Sequence, residues 1–188
     1  SAPARAWKAR AGALHMKIGI LSDTHIKDPA SSEARRVFEL IDRYFGDCDL
    51  IVHAGDLTTH AFLRALENKA PLLAVSGNMD DVDVRATLRD VEVLETHGMR
   101  IAVVHGWGPP FDLRDRVKAF LAGKGIHPDI VIFGHTHEAC DIVEGGIRWV
   151  NPGSPVDRRF ATRRSLGLLE ISDAAATFEI IDADHTIP

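Results

Sequence analysis

Five short apolar runs, each closed at once by a glycine, an acid or a histidine, constrain this chain more than any other feature. Lys17-Ile18-Gly19-Ile20-Leu21 passes into Ser22-Asp23-Thr24-His25, and Leu50-Ile51-Val52-His53-Ala54 into Gly55-Asp56. Pro71-Leu72-Leu73-Ala74-Val75-Ser76 gives way to Gly77-Asn78-Met79-Asp80, and Ile101-Ala102-Val103-Val104 to His105-Gly106. Asp129-Ile130-Val131-Ile132-Phe133 leads into Gly134-His135-Thr136-His137. Val- and Ile-rich runs of this length, bounded by turn residues, read as buried strands. In an open α/β sheet the ligand crevice lies beyond the carboxyl ends of the strands. Side by side, such strands would bring Asp23, Asp56, Asp80, Asn78, His25, His105, His135 and His137 to one edge.

Between the runs the pattern changes period. Val37, Phe38, Leu40, Ile41, Tyr44 and Phe45 recur at helical spacing after Ser31-Ser32, either of which can cap the helix, with Gly46 as a stop. Thr58-Thr59 precedes a shorter helical stretch carrying Phe62, Leu63 and Leu66 and ending before Pro71. The first 80 residues therefore follow the strand–helix alternation of a parallel sheet. Val91–Thr96 and Met99–Val104, joined by His97-Gly98, form a hairpin. Phe111–Leu121 reads as a helix, and past Asp129 the chain reads as all strand. So many strands would overfill one sheet. The element count fits an α/β four-layer αββα sandwich, two mixed β-sheets flanked by helices.

Composition narrows the class. A chain of 188 residues is one domain with room for a full core. Its net charge of −5 offers no basic face for bulk nucleic-acid binding. No apolar stretch approaches the roughly 18 residues of a membrane span. Cys48 and Cys140 form neither a disulfide framework nor a C-x-x-C pair, and read as reduced thiols of a cytoplasmic protein. Residues 1–15 carry Arg, Lys and Trp7 but no acid, and Met16-Lys17-Ile18 makes a natural start. The segment is expected to be a tag-like or non-native extension, with residues 16–188 as the single domain.

Taken one at a time, a Gly-Asp is a turn and a histidine at a strand end is a surface residue more often than a ligand. Asp23 and His25 stand at i and i+2, as do His135 and His137, and in extended backbone such pairs point the same way. Gly55 and Gly77 let the backbone approach the cluster closely before Asp56 and Asn78. Imidazoles, carboxylates and one amide suit manganese, iron, zinc, nickel or cobalt, whereas an all-oxygen set would suit magnesium or calcium. Five such motifs in order, each at a strand end, leave coincidence a poor account.

With these motifs and Asn151-Pro152-Gly153-Ser154, the chain from Met16 to Ile181 resembles the calcineurin-like metallophosphoesterases, and within them the small YfcE-type phosphodiesterases. The resemblance implies the same αββα sandwich and two divalent transition-metal ions, manganese first among them. Asp23, His25 and His137 would hold the first ion, Asn78, His105 and His135 the second, and Asp56 both. Asp56, Asn78 and His105 are then the expected catalytic residues. It implies a hydroxide shared by the two ions that attacks the phosphorus of a small phosphorylated substrate in line. The protein-phosphatase branch has a protonating histidine after the Asn ligand, where this chain has Met79. The resemblance is therefore better to phosphodiesterases. Asp80 is expected to orient a neighbouring imidazole.

Other residues invite plainer readings. His53 reads as a hydrogen-bonded core residue, and His15, His60, His97, His127 and His185 as solvated. Trp107 reads either as a packed loop aromatic or as a pocket wall that stacks on a base or aryl group. Arg158, Arg159, Arg163 and Arg164 form a basic cluster read first as solvated or as a subunit contact, which leaves a homo-oligomer open. Two other functions fit the resemblance: a non-catalytic scaffold like the retromer small subunit, and a nuclease of the same superfamily. The complete histidine set argues against the scaffold. A compact acidic chain without added DNA-gripping domains argues against the nuclease.

Overall fold

The computed structural model describes residues 7–8, 15–157, 161–173 and 175–184. Strands β2 (His15–Leu21), β3 (Leu50–His53) and β4 (Leu72–Ala74) pair in parallel, linked by helices α1 (Ser32–Tyr44) and α2 (His60–Glu67). Strands β10 (Ser165–Ser172) and β11 (Ala176–Asp182) add to this sheet antiparallel, giving the order β11-β10-β2-β3-β4. The second sheet is six-stranded, with β1 (Trp7–Lys8), β5 (Val91–Thr96), β6 (Met99–Val104), β7 (Ile130–Phe133), β9 (Ile147–Asn151) and β8 (Cys140–Glu144) in that order. Parallel and antiparallel neighbours occur in both. Short helix α3 (Val82–Thr87) precedes β5, and α4 (Leu113–Gly123) precedes β7.

Side-chain alternation explains the layering. Ile18, Ile20, Leu50 and Val52 point between the sheets against Ile101, Val103, Ile130 and Ile132. The intervening Leu21 and Ile51 face outward onto Val37, Ile41, Phe62 and Leu66 of α1 and α2. On the opposite side Ala102, Val104, Val131 and Phe133 receive Leu113, Val117 and Leu121 of α4. Strands covered on both faces must be apolar throughout, so β3 and β7 are uninterrupted Val/Ile/Leu runs up to their terminal residues. The result is the αββα sandwich.

Ser31 is the residue that caps α1, its hydroxyl accepting the Ala34 N–H at 3.1 Å. The β5–β6 hairpin turns on His97 and Gly98, both at positive φ, as a tight two-residue turn requires. Sequence periodicity does not mark α3, because it is only six residues long and buries Val84 alone. Helix α4 starts two residues later than expected, leaving Phe111 outside it and exposed. Of the segment set aside at the N-terminus, Trp7–Lys8 pairs in parallel with Leu94 and Glu95 at the edge of β5, and His15 opens β2. Residues 1–6 and 9–14, with Arg158, Arg159 and His185, lie outside the described residues.

Candidate metal centre

The strands that deliver the motifs do not share one edge. β2, β3 and β4 belong to the five-stranded sheet and β6 and β7 to the other, so the loops meet across the sandwich. Backbone hydrogen bonds join the loops within each sheet, Asp23 N–H to Gly55 O, His25 N–H to Asp56 O and Gly134 N–H to His105 O, at 3.0, 2.9 and 3.1 Å. Side chains cross between the sheets, Asp23 Oδ2 accepting the His135 N–H at 3.0 Å and His105 Nδ1 lying 2.7 Å from Ala54 O. Asp23, His25, Asp56, His135 and His137 all lie at φ between 49° and 71°. The i, i+2 pairs therefore converge through left-handed backbone, and the extended geometry inferred from their spacing does not hold. Non-glycine residues in this region cost about 1–3 kcal/mol each and gather where a site over-determines them.

Asp56 anchors the middle. Its Oδ1 accepts the Met79 N–H at 2.7 Å, leaving Oδ2 3.2 Å from His105 Nε2 and 3.8 Å from His25 Nε2. Asp23, fully buried, accepts the Ser22 hydroxyl and the His135 N–H on Oδ2, and its Oδ1 is 3.3 Å from His137 Nε2 and 3.9 Å from His105 Nε2. His25 and His137 bring their Nε2 atoms within 3.3 Å of each other. Two overlapping groups result, Asp23–His25–His137 and Asp23–Asp56–His105. Asp23 belongs to both, and Asp56 stands between His25 and His105.

The imidazoles are oriented from behind. His105 Nδ1–H donates to Ala54 O at 2.7 Å, which turns the Nε2 lone pair inward. That Nε2 is buried and has no hydrogen-bond partner, although the Asp56 carboxylate lies next to it. Two lone pairs cannot face each other at 3.2 Å without a proton or a cation between them. Burial opposes charge on His105, but the close Asp56 carboxylate and the Asp23 charge outweigh it and push its pKa up to about 9. Burial would likewise raise Asp23, yet His137 and His105 hold it below the ordinary carboxylate value. Inward nitrogen and carboxylate lone pairs, oriented by outer partners, are what a transition-metal site requires, so the residues fit such an ion.

Asn78 and His135 stand beside these groups. The Asn78 amide oxygen is 3.1 Å from His135 Nδ1, His135 Nε2 is 2.6 Å from Gly108 O, and the His135 ring meets that of His105 edge-on at 5.3 Å. All seven motif residues thus gather, five of them in the two groups and two as a neighbouring pair. Asp80 does not orient an imidazole. It accepts the Thr58 and Gly77 N–H groups at 2.6 and 2.7 Å and ties the Asp56 loop to the Asn78 loop. His53 is buried, as expected, 3.0 Å from the Thr24 hydroxyl. Trp107 is both packed and pocket-lining, set edge-on to Phe120 in a cavity that includes Asn78 and His105. In the basic cluster, Arg164 pairs with Asp184 at 3.2 Å.

One participant had no sequence signal. Asp157 approaches His137 Nδ1 at 2.9 Å and directs the opposite nitrogen inward. It follows the Asn151–Ser154 turn, which also braces the centre: Ser154 donates to Asp23 O, and Asn151 donates to Gly134 O and the Thr136 hydroxyl.

Residues 16–174 match the calcineurin-like phosphoesterase superfamily domain, and the chain belongs to that family. It is 37% identical over 158 residues to a probable metallophosphoesterase of Methanocaldococcus jannaschii, covering 84% of this chain and 77% of that protein. A phosphodiesterase of the same organism is 27% identical, with 73% and 83% covered. The fold is shared with wild-type Vps29 of Entamoeba histolytica complexed with zinc, at TM-score 0.65 and 22% identity over 90% of this chain and all of that one. The chain is a metallophosphoesterase-family protein with a candidate metal-ligand cluster.

Proposed function

We propose that this protein is a cytoplasmic phosphodiesterase that hydrolyses a small phosphoester with two divalent transition-metal ions, manganese foremost. Asp23, His25 and His137 would hold one ion, Asn78, His105 and His135 the other, with Asp56 shared. The observation that carries the reading is the buried His105 Nε2, unpartnered and facing Asp56 in a cluster of inward lone pairs. When bound, the ions would supply Lewis-acid charge to the phosphate and a water acidified enough to attack near neutral pH. The chain's own work is placement: the Met79 N–H fixes the Asp56 carboxylate, Ala54 O fixes His105, and Asp157 fixes His137.

No side chain at position 79 protonates a departing alkoxide, since Met79 is half in solvent and has no acid. General acid help is worth about 10²–10⁴-fold. Aryl diesters are therefore expected to turn over well and dialkyl diesters slowly. The test is hydrolysis of cyclic nucleotides, aryl and alkyl diesters and monoesters after loading with manganese, iron, zinc, nickel or cobalt. Diester cleavage with a steep dependence on leaving-group pKa supports the proposal. Inactivity with every metal would favour a partner-binding scaffold, the reading to which the Vps29 likeness of fold lends weight.

A further inference from the structure

We propose that the substrate diester lies across the candidate metal centre with its two ester arms in separate cavities, an aromatic arm beside Trp107 and an uncharged arm beside Phe111 and Ile142. The inference rests on the phosphodiesterase reading and names its substrate class. The first cavity, about 340 Å³, is walled by Trp107 and Phe120 with Arg85, and shares Asn78 and His105 with the candidate centre. Trp107 is 38% exposed, and its ring is steadied edge-on against Phe120 at 5.2 Å. A steadied, half-exposed indole offers a flat group a stacking surface at little entropic cost. His105 lines this cavity while its buried Nε2 faces Asp56 in the candidate centre.

The second cavity, about 730 Å³, shares none of the first cavity's lining residues and has His135 and His137 in its wall. Phe111, Phe133 and Ile142 supply apolar surface there. Phe111 is 68% exposed and Ile142 37%, large apolar groups that nothing in the fold covers among the described residues. His135, bonded to Asn78 and edge-on to His105, stands between the two spaces. Both volumes fall within or near the range of about 300–1,000 Å³ typical of small-molecule sites. A phosphorus atom held between them can send one arm each way. A monoester would leave one cavity empty.

Charge distinguishes the two. In the first, the lining carries one arginine, Arg85, and one acid, Asp90. In the second, Asp112, Asp115, Glu138 and Glu144 outnumber Arg114, which is already tied to Glu144 at 2.8 Å. An arm bearing further phosphate would meet net negative charge there, so the arm it takes is uncharged.

The experiment compares wild type, Trp107→Ala and Ile142→Glu, loaded with manganese and checked for equal metal content, on three esters. Bis-p-nitrophenyl phosphate should lose about 3–10-fold in kcat/KM in each variant. Methyl p-nitrophenyl phosphate and the monoester p-nitrophenyl phosphate should lose it in only one variant, because one cavity has no aryl arm to lose. Equal penalties on all three esters, or none on the bis-aryl diester, overturn the placement while leaving the enzymatic reading intact. Equilibrium dialysis with diphenyl phosphate separates the other failure. Binding weakened by each variant in a protein that hydrolyses nothing sinks the phosphodiesterase reading and keeps the placement, and binding unaffected by either variant sinks both.

Discussion

Asp157 stands outside the ring of motif residues, yet its carboxylate lies 2.9 Å from His137 Nδ1 and decides which nitrogen faces Asp23. Partners of this kind typically govern about 10–100-fold in metal affinity or activity. Asp157→Asn is expected to weaken metal retention by that order, read by competition with a graded chelator, while leaving the fold intact by circular dichroism. Asp56 has a different weight, because its Oδ2 faces both His105 and His25. Asp56→Asn keeps the shape and removes the charge, and is expected to abolish nearly all hydrolysis and to lower the metal content found by elemental analysis. Full metal content with wild-type turnover would contradict a shared role for Asp56. These residues also explain why the spacing argument fails locally: five of the seven sit in left-handed backbone, a conformation that Asp and His tolerate better than most side chains but that residue spacing cannot reveal.

At the scale of the elements, the joints between strand and loop are where the two sheets touch. Gly134 follows β7, and a Cβ on it would collide with the Ser22 hydroxyl and come within 2.8 Å of Asp23 Oδ2 and 2.9 Å of Ala54 O. These atoms belong to the loops after β2 and β3, on the opposite sheet. Only a glycine there lets the sheets approach closely enough for His105, His135 and His137 to meet Asp23 and Asp56. Gly134→Ala is expected to cost about 1–3 kcal/mol of stability, the usual toll of overpacking, seen as a lower urea midpoint. It should also deplete bound metal, since Ala54 O is backbone and yields less readily than a side chain. A variant with unchanged midpoint and full metal content would show that the loops adapt freely.

For the molecule as a whole, acid sensitivity follows from histidine burial. Burial pushes the His53 imidazole down from 6.5 to about 3, against the opposing pull of Asp23 and Asp56. The unfolded chain thus takes up this proton first. The contribution is fully present above about 6.5 and is lost as pH falls toward 3, with a slope of up to about 1.4 kcal/mol per pH unit. His105 runs the other way, its contribution to the metal-free protein fading as pH rises through about 9. Urea midpoints of the metal-free protein at pH 7, 6 and 5 should fall more steeply for wild type than for His53→Gln. Parallel profiles would mean that His53 takes up its proton as readily in the folded state as in the unfolded one.

Read from residues alone, the chain already specifies its strands apart from the short β1, most of its helices, the hairpin at His97-Gly98 and the seven side chains that gather at the strand ends. Those features come from local periodicity and turn chemistry, which act over a few neighbours and are written directly in order and spacing. The partition of the strands into two sheets could be inferred from their number, but not which strand joins which. The close meeting of the sheets at Gly134, the pairing of Asn78 with His135, and the contact of Asp157 with His137 carry no sequence pattern, because each joins residues 20 or more positions apart through packing. So it is with Asp80, whose position beside the candidate ligands invites an imidazole partner. Its carboxylate instead goes to two backbone N–H groups, since those donors are buried with it and would otherwise be left unbonded. Motif chemistry is local and survives in the sequence, whereas orientation and enclosure depend on which distant atoms the packed core brings within a hydrogen bond's reach.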